Sequence, residues 1–312
     1  ARYMVVEPGV TSAQAWKFMQ ENYPDYRPGV PDGAPPSATL VGDHLDRGFH
    51  FLSTRYGPAA DAVLGLEAVL PTGEVIRTGS YALPTAKGFY KWMFGPDLTG
   101  LFLGSQGTLG VVTKMAIKIF PMAKVRDVVA FGASEWKYII EPSLDVLKME
   151  VVDLAQGGNY PLATCRRAKY KWPPLPKPDA LPMVWMNFEL GTETKEEMEN
   201  IKRRINQVLA KYQKEYGEKN IFEWKLDVPS IIARLTKPNR ISVPYAGHKG
   251  GGLLFITWYV PWKDAAEFGE QAERLMAKYK FSPVVWLAAV DHGRQGLVMP
   301  IILFDPKSPE DF

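Results

Sequence analysis

Apolar and polar residues alternate over residues 114–120, where Lys114 and Lys118 flank apolar positions such as Met115. This period of two predicts a half-buried β-strand. Further strands are predicted at 3–6, 64–70 and 74–78. The turn sequence Pro71-Thr72-Gly73 joins the last two of these, which predicts a β-hairpin.

Between these strands the pattern changes. Thr11 or Ser12 is predicted to cap a helix that runs through Ala15 to Met19, because the apolar positions there share one helical face. Residues 23–38 are dense in Pro and Gly and predict a loop.

The second half alternates predicted strands and helices. The strongest helix covers 194–216, where Met198, Ile201 and Ile205 belong to an apolar stripe opposite a charged face. Two more helices are predicted at 134–147, which contains Pro142, and at 264–279. Strands are predicted at 125–131, 149–154, 183–190, 253–260, 284–290 and 299–304. The pattern breaks at 120–124, so we expect a domain boundary there and an α+β second half with an antiparallel sheet.

Residues 94–113 contain five glycines and end on the strand-like Val111-Val112-Thr113. Glycines at this density allow positive φ and close approach of the backbone to a ligand. Their exposed N–H groups suit an anionic group such as a pyrophosphate. A loop that needs glycine only for tight packing is the alternative interpretation.

The amino-acid composition excludes several classes of protein. The 312 residues are 46% hydrophobic and 23% charged with a net charge of +3, an ordinary globular composition without a nucleic-acid signature. The single cysteine, Cys165, excludes an internal disulfide and a multi-cysteine metal site. No apolar run reaches the roughly 18 residues of a membrane span. The chain begins in a strand-like segment without a signal peptide, which we interpret as a processed or partial chain of a cytoplasmic protein.

Four segments together resemble a known family. Residues 42–48 (Gly-Asp-His-Leu-Asp-Arg-Gly), Tyr56-Gly57, residues 65–79 and residues 107–114 are similar, in order, to the PCMH-type FAD-binding domain of the vanillyl-alcohol oxidase and 4-cresol methylhydroxylase superfamily. The second half is similar to the substrate cap domain of that family. The resemblance implies an FAD-binding domain at 1–122 and an α+β cap domain at 123–312.

Two branches of the superfamily remain possible. The phenol-oxidising branch is similar at 42–48, at Phe94-Gly95-Pro96, and at Arg294 with Leu303-Phe304-Asp305. The glycolate oxidase and D-lactate dehydrogenase branch is more similar at 97–102 and Gly104-Ser105. We favour the first branch because both domains agree with it.

The sequence departs from the family pattern at several positions. Pro58 follows Tyr56-Gly57 where the phenol-oxidising enzymes carry an Asp that acts as a base near the flavin. Leu297 or Val298 stands where a cap histidine can tether flavin, so we expect non-covalent FAD. Met299 replaces a second metal histidine, so we expect no metal. The first FAD subdomain is expected before Ala1 and a C-terminal return segment after Phe312.

The resemblance implies two sets of site residues. Arg294, His292 and Tyr56 are the candidate catalytic residues, and a cationic Arg294 is able to bind a phenolate or carboxylate through two hydrogen bonds. A hairpin turn with a solvated arginine is the alternative. The implied flavin contacts are Gly42, Asp43, His44, Asp46, Arg47, Gly48, Gly104, Ser105, Gly107, Gly110, Val111 and Val112.

The implied function is an FAD-dependent oxidoreductase that takes hydride from a 4-alkylphenol-like or 2-hydroxy-acid substrate and passes electrons to oxygen or an acceptor protein. The chain is expected to form a homo-oligomer or to join a complex. A glycolate oxidase or D-lactate dehydrogenase-like enzyme is one alternative. A flavin-binding subunit without catalytic activity is the other.

Overall fold

The computed structural model of the chain describes residues 2–31, 33–92, 95–167, 177, 179, 181–238 and 252–309, without the side chains of 166, 167, 234 and 235. Internal contacts divide the chain into two compact units, Ala1–Ala123 with Arg234–Asn239, and Lys124–Ala233 with Arg240–Phe312. We call them unit 1 and unit 2.

Unit 1 contains a five-stranded antiparallel sheet. Its long central strand pairs with the first strand on one side and with a hairpin on the other, in the order β1-β5-β3-β4, and β2 pairs with the far end of β5. The strands are β1 (Tyr3–Val6), β2 (Tyr26–Pro28), β3 (Val63–Val69), β4 (Val75–Arg77) and β5 (Val111–Pro121).

The helices of unit 1 are short. They are α1 (Ser12–Asn22), α2 (Leu40–Leu45), α3 (Ser53–Tyr56) and α4 (Leu98–Phe102). Thr11 caps α1, because its hydroxyl accepts from the Gln14 N–H at 3.2 Å while the Gln14 side chain accepts from the Thr11 N–H at 2.9 Å. Leu40, Leu66, Met115 and Ile117 are fully buried in one apolar core, which holds α2 against the sheet.

Unit 2 contains an eight-stranded antiparallel sheet in the order β10-β13-β12-β7-β8-β6-β9, and β11 also pairs with β13. The strands are β6 (Val125–Ala133), β7 (Val152–Asn159), β8 (Val184–Thr192), β9 (Ile221–Glu223), β10 (Gly252–Phe255), β11 (Trp258–Pro261), β12 (Val285–Val290) and β13 (Gln295–Phe304).

The helices of unit 2 supply most of its core. They are α5 (Lys137–Leu147), α6 (Tyr160–Arg167), α7 (Lys195–Tyr216), α8 (Val228–Thr236) and α9 (Ala265–Lys278). Ile139 of α5, Ile205 of α7 and Ala272 of α9 share one buried cluster with alternate strand residues such as Phe131 and Phe188. These three helices therefore pack on one face of the sheet.

Several predictions are confirmed and others are corrected. Helices α1 and α7 form as predicted, Thr11 is the cap of α1, and the fold class is α+β with antiparallel sheets. The strand predicted at 253–260 is two strands, β10 and β11. The strand predicted at 149–154 begins only at Val152, because Glu150 turns the chain with a φ of 56°. The predicted loop at 23–38 contains the short strand β2.

No helix of the described residues is long and apolar enough to cross a membrane. Most of the proline-rich segment 170–182 lies outside the described residues.

Candidate functional site: a glycine-lined cofactor surface in unit 1

The segment 42–48 folds as the end of a short helix followed by a tight turn. Thr39 caps α2 by accepting from the Gly42 N–H at 3.3 Å. Arg47 then adopts a left-handed φ of 59°, and its N–H donates to the His44 carbonyl at 3.2 Å. The turn closes where the Gly48 N–H donates to the Asp43 carbonyl at 2.9 Å.

Gly48 is required in this turn because the Asp43 side chain lies over it. A Cβ at position 48 would come within 2.1 Å of Asp43 Oδ1. The Gly48 carbonyl accepts from the Ala59 N–H at 2.9 Å, so the segment that begins with Pro58 is held against the same turn.

The second predicted segment begins at α4. Asp97 caps this helix by accepting from the Gly100 N–H at 3.0 Å. The Thr99 hydroxyl is hydrogen-bonded to the Thr78 hydroxyl at 2.7 Å, which fastens the helix to the end of β4. The start of the glycine-rich stretch is therefore anchored to the sheet.

After α4 the backbone enters the left-handed region at three positions, Gly104, Gln106 and Gly107, with φ values of 81°, 51° and 77°. A Cβ on Gly107 would meet nothing within 4 Å. The N–H groups of Gln106 and Gly107 donate to no acceptor in the described part of the chain. Exposed amides in such a turn suit an electronegative ligand atom.

The two segments meet at Gly104. Its N–H donates to the Leu45 carbonyl at 2.7 Å. A Cβ on Gly104 would lie 2.8 Å from the Arg47 Cζ, so the guanidinium occupies the space that a side chain would need. Sequence segments about sixty residues apart thus form one continuous surface.

Gly110, Val111 and Val112 lead this surface into β5. Gly110 has a φ of 155°, and a Cβ on it would meet the Val69 carbonyl oxygen at 2.6 Å. Val112 is buried in the core of unit 1. Val111 is 69% exposed and Leu109 is also exposed, so both offer apolar surface beside the glycine turn.

Buried ionisable groups lie behind the 42–48 turn. Burial, and then the neighbouring Asp46, raises the pKa of Asp43 to about 7. Burial lowers the pKa of His44 to about 4, although its hydrogen bond to the Leu40 carbonyl opposes this. Asp43 Oδ2 lies 3.9 Å from His44 Nδ1 and has no hydrogen-bond partner within the described residues.

A second buried imidazole belongs to His50. Its Nδ1 accepts from the Leu52 N–H at 3.0 Å, so its Nε2 carries the proton. His44 has the opposite tautomer, because its Nδ1 donates to the Leu40 carbonyl at 2.8 Å. Burial, with His44 and Arg27 nearby, lowers the pKa of His50 to about 3, so both rings are neutral near pH 7.

Tyr56 lies elsewhere in unit 1. Its ring stacks on Phe120 with centroids 4.5 Å apart. With Arg2, Phe89 and Lys118 it lines an open cavity of about 510 Å³. None of the described residues that line this cavity belongs to 42–48 or 104–112. Tyr56 is therefore not in contact with the surface that the other predicted residues form.

Arg294 and His292 lie in unit 2, in the tight connection between β12 and β13. Asp291, His292 and Gly293 have φ values of 51°, 53° and 81°. A Cβ on Gly293 would meet Leu147 Cδ1 at 2.8 Å, so the turn packs closely on α5. The Arg294 side chain is 81% exposed, and its Nε lies 3.3 Å from Asp291 Oδ2.

The unit 1 surface has several features that a bound nucleotide cofactor requires. It combines two unpaired amides, apolar side chains that face outward, and glycine positions that a Cβ would obstruct. Hydrogen-bond donors beside exposed apolar side chains suit a ligand that carries both polar and apolar groups, as a flavin does. Within the described ranges no group of three or more His, Cys, Asp or Glu side chains is placed to hold a metal ion.

Two similarities to known proteins bear on the family of this chain. A family model described as an FAD binding domain matches residues 1–79. The 4-cresol dehydrogenase [hydroxylating] flavoprotein subunit of Pseudomonas putida is 26% identical over 99% of this chain and 63% of its own length. Both matches support the PCMH-type FAD-binding superfamily as the family that this chain resembles.

Two further proteins are similar to this chain, one in sequence and one in fold. The mitochondrial D-lactate dehydrogenase [cytochrome] of Arabidopsis thaliana is 25% identical over 98% of this chain and 50% of its own length. The crystal structure of p-cresol methylhydroxylase with substrate bound superposes with a TM-score of 0.80 at 22% identity, covering 99% of this chain and 63% of that one. The chain therefore spans between half and two thirds of the length of these proteins.

The sequence patterns did not predict three features of the structure. Gln106 adopts a left-handed φ although it is not glycine. Its position between Gly104 and Gly107 is the sequence feature that could have indicated this. Leu109 contributes exposed apolar surface. In unit 2, Trp185 and Asn187 alternate with the core residues of β8, a pattern of polar groups in a buried strand that the sequence displays.

Proposed function

We propose that the full-length protein is an FAD-dependent oxidoreductase. The contact of Gly104 with Leu45 and Arg47 supports this best, because it unites both predicted flavin segments in one surface. Bound flavin supplies the hydride acceptor, and the protein supplies orientation, charge and exclusion of water.

Unit 1 holds the cofactor in this proposal. The amides of Gln106 and Gly107 would donate to electronegative atoms of the cofactor, and Leu109 and Val111 would offer it apolar surface. We propose non-covalent attachment, because Leu297 and Val298 are buried apolar residues of β13 that cannot form a bond to flavin.

Asp43 is our candidate for the carboxyl group that holds a proton during the reaction. The Asp that follows the Tyr-Gly pair in the phenol-oxidising enzymes is Pro58 here. Asp43 and the segment beginning at Pro58 both contact Gly48. A carboxyl group with a pKa of about 7 is suited to accept and return a proton near neutral pH.

Unit 2, within residues 123–312, is the proposed substrate domain. The exposed guanidinium of Arg294 binds an anionic oxygen of the substrate, and His292 supports this turn. A 4-alkylphenol ranks first and a 2-hydroxy acid second, since the P. putida relative is named for cresol and the A. thaliana relative for D-lactate.

The test uses the full-length protein under anaerobic conditions. We expect a visible flavin spectrum that 4-cresol or D-lactate bleaches. The variant Arg294→Ala should raise KM at least tenfold, whereas Arg274→Ala, which removes an exposed arginine of α9, should not. A protein without flavin, or a flavin that neither compound reduces, contradicts the proposal.

A second candidate function is a flavin-binding subunit without its own oxidation activity. It is favoured because Pro58 stands where the phenol-oxidising enzymes carry an Asp. In that case flavin would be present, no substrate would bleach it, and other chains would copurify in fixed ratio. The mass of the native particle separates this candidate from a homo-oligomeric enzyme. Acid precipitation of either particle should release the flavin if attachment is non-covalent.

A further inference from the structure

An open cavity of about 350 Å³ lies at one end of the unit 2 sheet, where β6 and β7 end and β8 begins. Helix α9 lines one side of it through Glu270 and Glu273. Pro161 and Met183 belong to its apolar lining, and Met183 is 42% exposed. We call it the α9 cavity. Its volume lies within the range of small-molecule pockets, and none of the described residues that line it has a proposed role with flavin or substrate.

Two buried donors hold the Glu273 carboxylate in the α9 cavity. Its Oε1 accepts from Trp136 Nε1 at 2.9 Å and from Asn159 Nδ2 at 2.6 Å, and both donor residues are only 2% exposed. Asn159 is itself fixed, because its Nδ2 also donates to the Pro283 carbonyl at 2.6 Å and its Oδ1 accepts from the Val285 N–H at 3.2 Å. The Glu273 carboxylate therefore has a set orientation, and no described residue donates a hydrogen bond to its Oε2.

The negative charge of Glu273 is not balanced by a cation in this cavity. No Lys, Arg or His side chain is found among the described residues that line it, whereas Glu270 lies beside Glu273 on the same helix. Burial raises the pKa of Glu273 and the charge of Glu270 adds to this, against the hydrogen bonds from Asn159 and Trp136. A partly buried carboxylate without a counter-charge and a like charge one helical turn away both cost free energy. A cation bound in the cavity would remove both costs.

The lining favours an organic cation over a metal ion. Within the described residues no group of three or more His, Cys, Asp or Glu side chains is placed to hold a metal. The third carboxylate of the cavity belongs to Glu135, and it already pairs with Lys137 Nζ at 2.9 Å. A calcium ion needs more oxygen ligands than the two carboxylates of α9 supply. The apolar lining at Pro161 and Met183 instead suits the hydrocarbon part of an organic molecule.

We propose that the α9 cavity binds a small organic ammonium ion, which is a protonated primary amine attached to an apolar body. An ammonium group has three N–H donors, and a charge-assisted hydrogen bond to Glu273 Oε2 would be strengthened by the charge of Glu270. The apolar body would lie against Pro161 and Met183. This site is separate from the oxidoreductase chemistry, so the inference does not rest on the proposed function.

The experiment measures binding of 2-phenylethylamine to the full-length protein by calorimetry at pH 7, where a primary amine carries its proton. The comparison compound is 2-phenylethanol, which has the same apolar body without the charge, and calcium chloride supplies a metal ion alone. We expect the amine to bind and the alcohol to bind about tenfold or more weakly. Calcium should not displace the amine. Equal affinity for amine and alcohol, no binding of the amine, or displacement by calcium would overturn the inference.

Glu273→Gln removes the charge and keeps an oxygen that accepts from Trp136 and Asn159. It should weaken amine binding about tenfold or more, while the Tm of the free protein stays the same or rises because an unbalanced charge is lost. A purely structural Glu273 would lower the Tm and leave the affinity unchanged. Glu270→Gln should weaken binding about threefold. Glu267→Gln is the matched control on α9, because Glu267 is exposed and does not line the cavity.

A further variant separates this cavity from the proposed substrate turn of unit 2. Arg294→Ala should leave the affinity for 2-phenylethylamine unchanged, and D-lactate should not compete with the amine. Unchanged affinity in both Glu273→Gln and Glu270→Gln, or binding lost only in Arg294→Ala, would overturn the inference. Flavin content is measured separately. A flavin that substrate bleaches in a protein that binds no amine contradicts only this inference, whereas amine binding without flavin contradicts only the oxidoreductase.

Discussion

The guanidinium of Arg47 lies against Gly104, where a Cβ would come within 2.8 Å of Cζ and 2.9 Å of Nε. Arg47 reaches this position because its own backbone is left-handed. The turn around it is closed by the hydrogen bonds from the N–H groups of Arg47 and Gly48 to the carbonyls of His44 and Asp43. The pair explains why position 104 is glycine: positive φ and the lack of a side chain are both needed there.

Gly110 should be more sensitive to substitution than Gly107. Gly110→Ala places a Cβ 2.6 Å from the Val69 carbonyl oxygen, which is backbone and cannot move aside, whereas Gly107→Ala enters open space. Both substitutions strain a positive φ, which costs about 1–2 kcal/mol. We expect Gly110→Ala to cost roughly 1–3 kcal/mol more, measured by urea unfolding. Equal losses would contradict the close approach of β3 to position 110.

The raised pKa of Asp43 predicts a pH-dependent stability. The folded state binds this proton more tightly than the unfolded state, whose carboxyl titrates near 3.8. The protonated Asp43 carboxyl thus contributes fully to the free energy of unfolding below pH 4. This contribution is lost as the pH rises to about 7. Relative to Asp43→Asn, the wild type should lose roughly 2–4 kcal/mol across that interval.

Unfolding curves of both proteins at pH 4, 5.5 and 7.5 measure this difference. Asp46→Asn serves as the intermediate case, because removing its charge should lower the pKa of Asp43 and reduce the slope. A difference between wild type and Asp43→Asn that is independent of pH would show that Asp43 is solvated.

His44 and His50 predict the opposite trend. Their pKa values are lowered by burial to about 4 and about 3, so the unfolded state binds protons first as the pH falls below 6.5. The stability that the two neutral rings contribute is fully present above pH 6.5. As the pH falls toward 4, the free energy of unfolding decreases by about 3 kcal/mol for each ring. In His50→Asn the loss between pH 7 and pH 4.5 should be smaller than in wild type. An unchanged loss would mean that His50 is accessible to solvent.

Much of the fold could be predicted because local rules decide it. The Thr11 and Thr194 caps, the hairpin around Gly73 and the apolar stripe of α7 depend on neighbouring residues. Helix α2 was not predicted, because it has six residues and includes Gly42, so its stability comes from burial of Leu40 and Val41. Likewise, the division of 253–260 into β10 and β11 depends on pairing with β13.

In the candidate site, too, the local features could be predicted from the sequence and the tertiary contacts could not. The glycine spacing marked residues 104–110, because positive φ favours one residue type. The sequence could not show that Arg47 would lie on Gly104, since that contact joins segments far apart in the chain. The burial that raises the pKa of Asp43 is also a tertiary effect. The sequence also could not show that the Tyr56 ring stacks on Phe120, away from the glycine-lined surface.

The flavin content of the full-length protein tests the central claim most directly. Gly104→Ala should displace Arg47 and raise the Kd for FAD about tenfold or more, since a shift of 1.4 kcal/mol corresponds to a factor of ten. Gly73→Ala is the matched control, because Gly73 has a similar φ of 86° and nothing within 4 Å of its Cβ position. We predict that wild type and Gly73→Ala retain FAD through gel filtration and that Gly104→Ala releases it. Equal FAD retention in all three proteins, or none in the wild type, would contradict a flavin site built on Arg47 and Gly104.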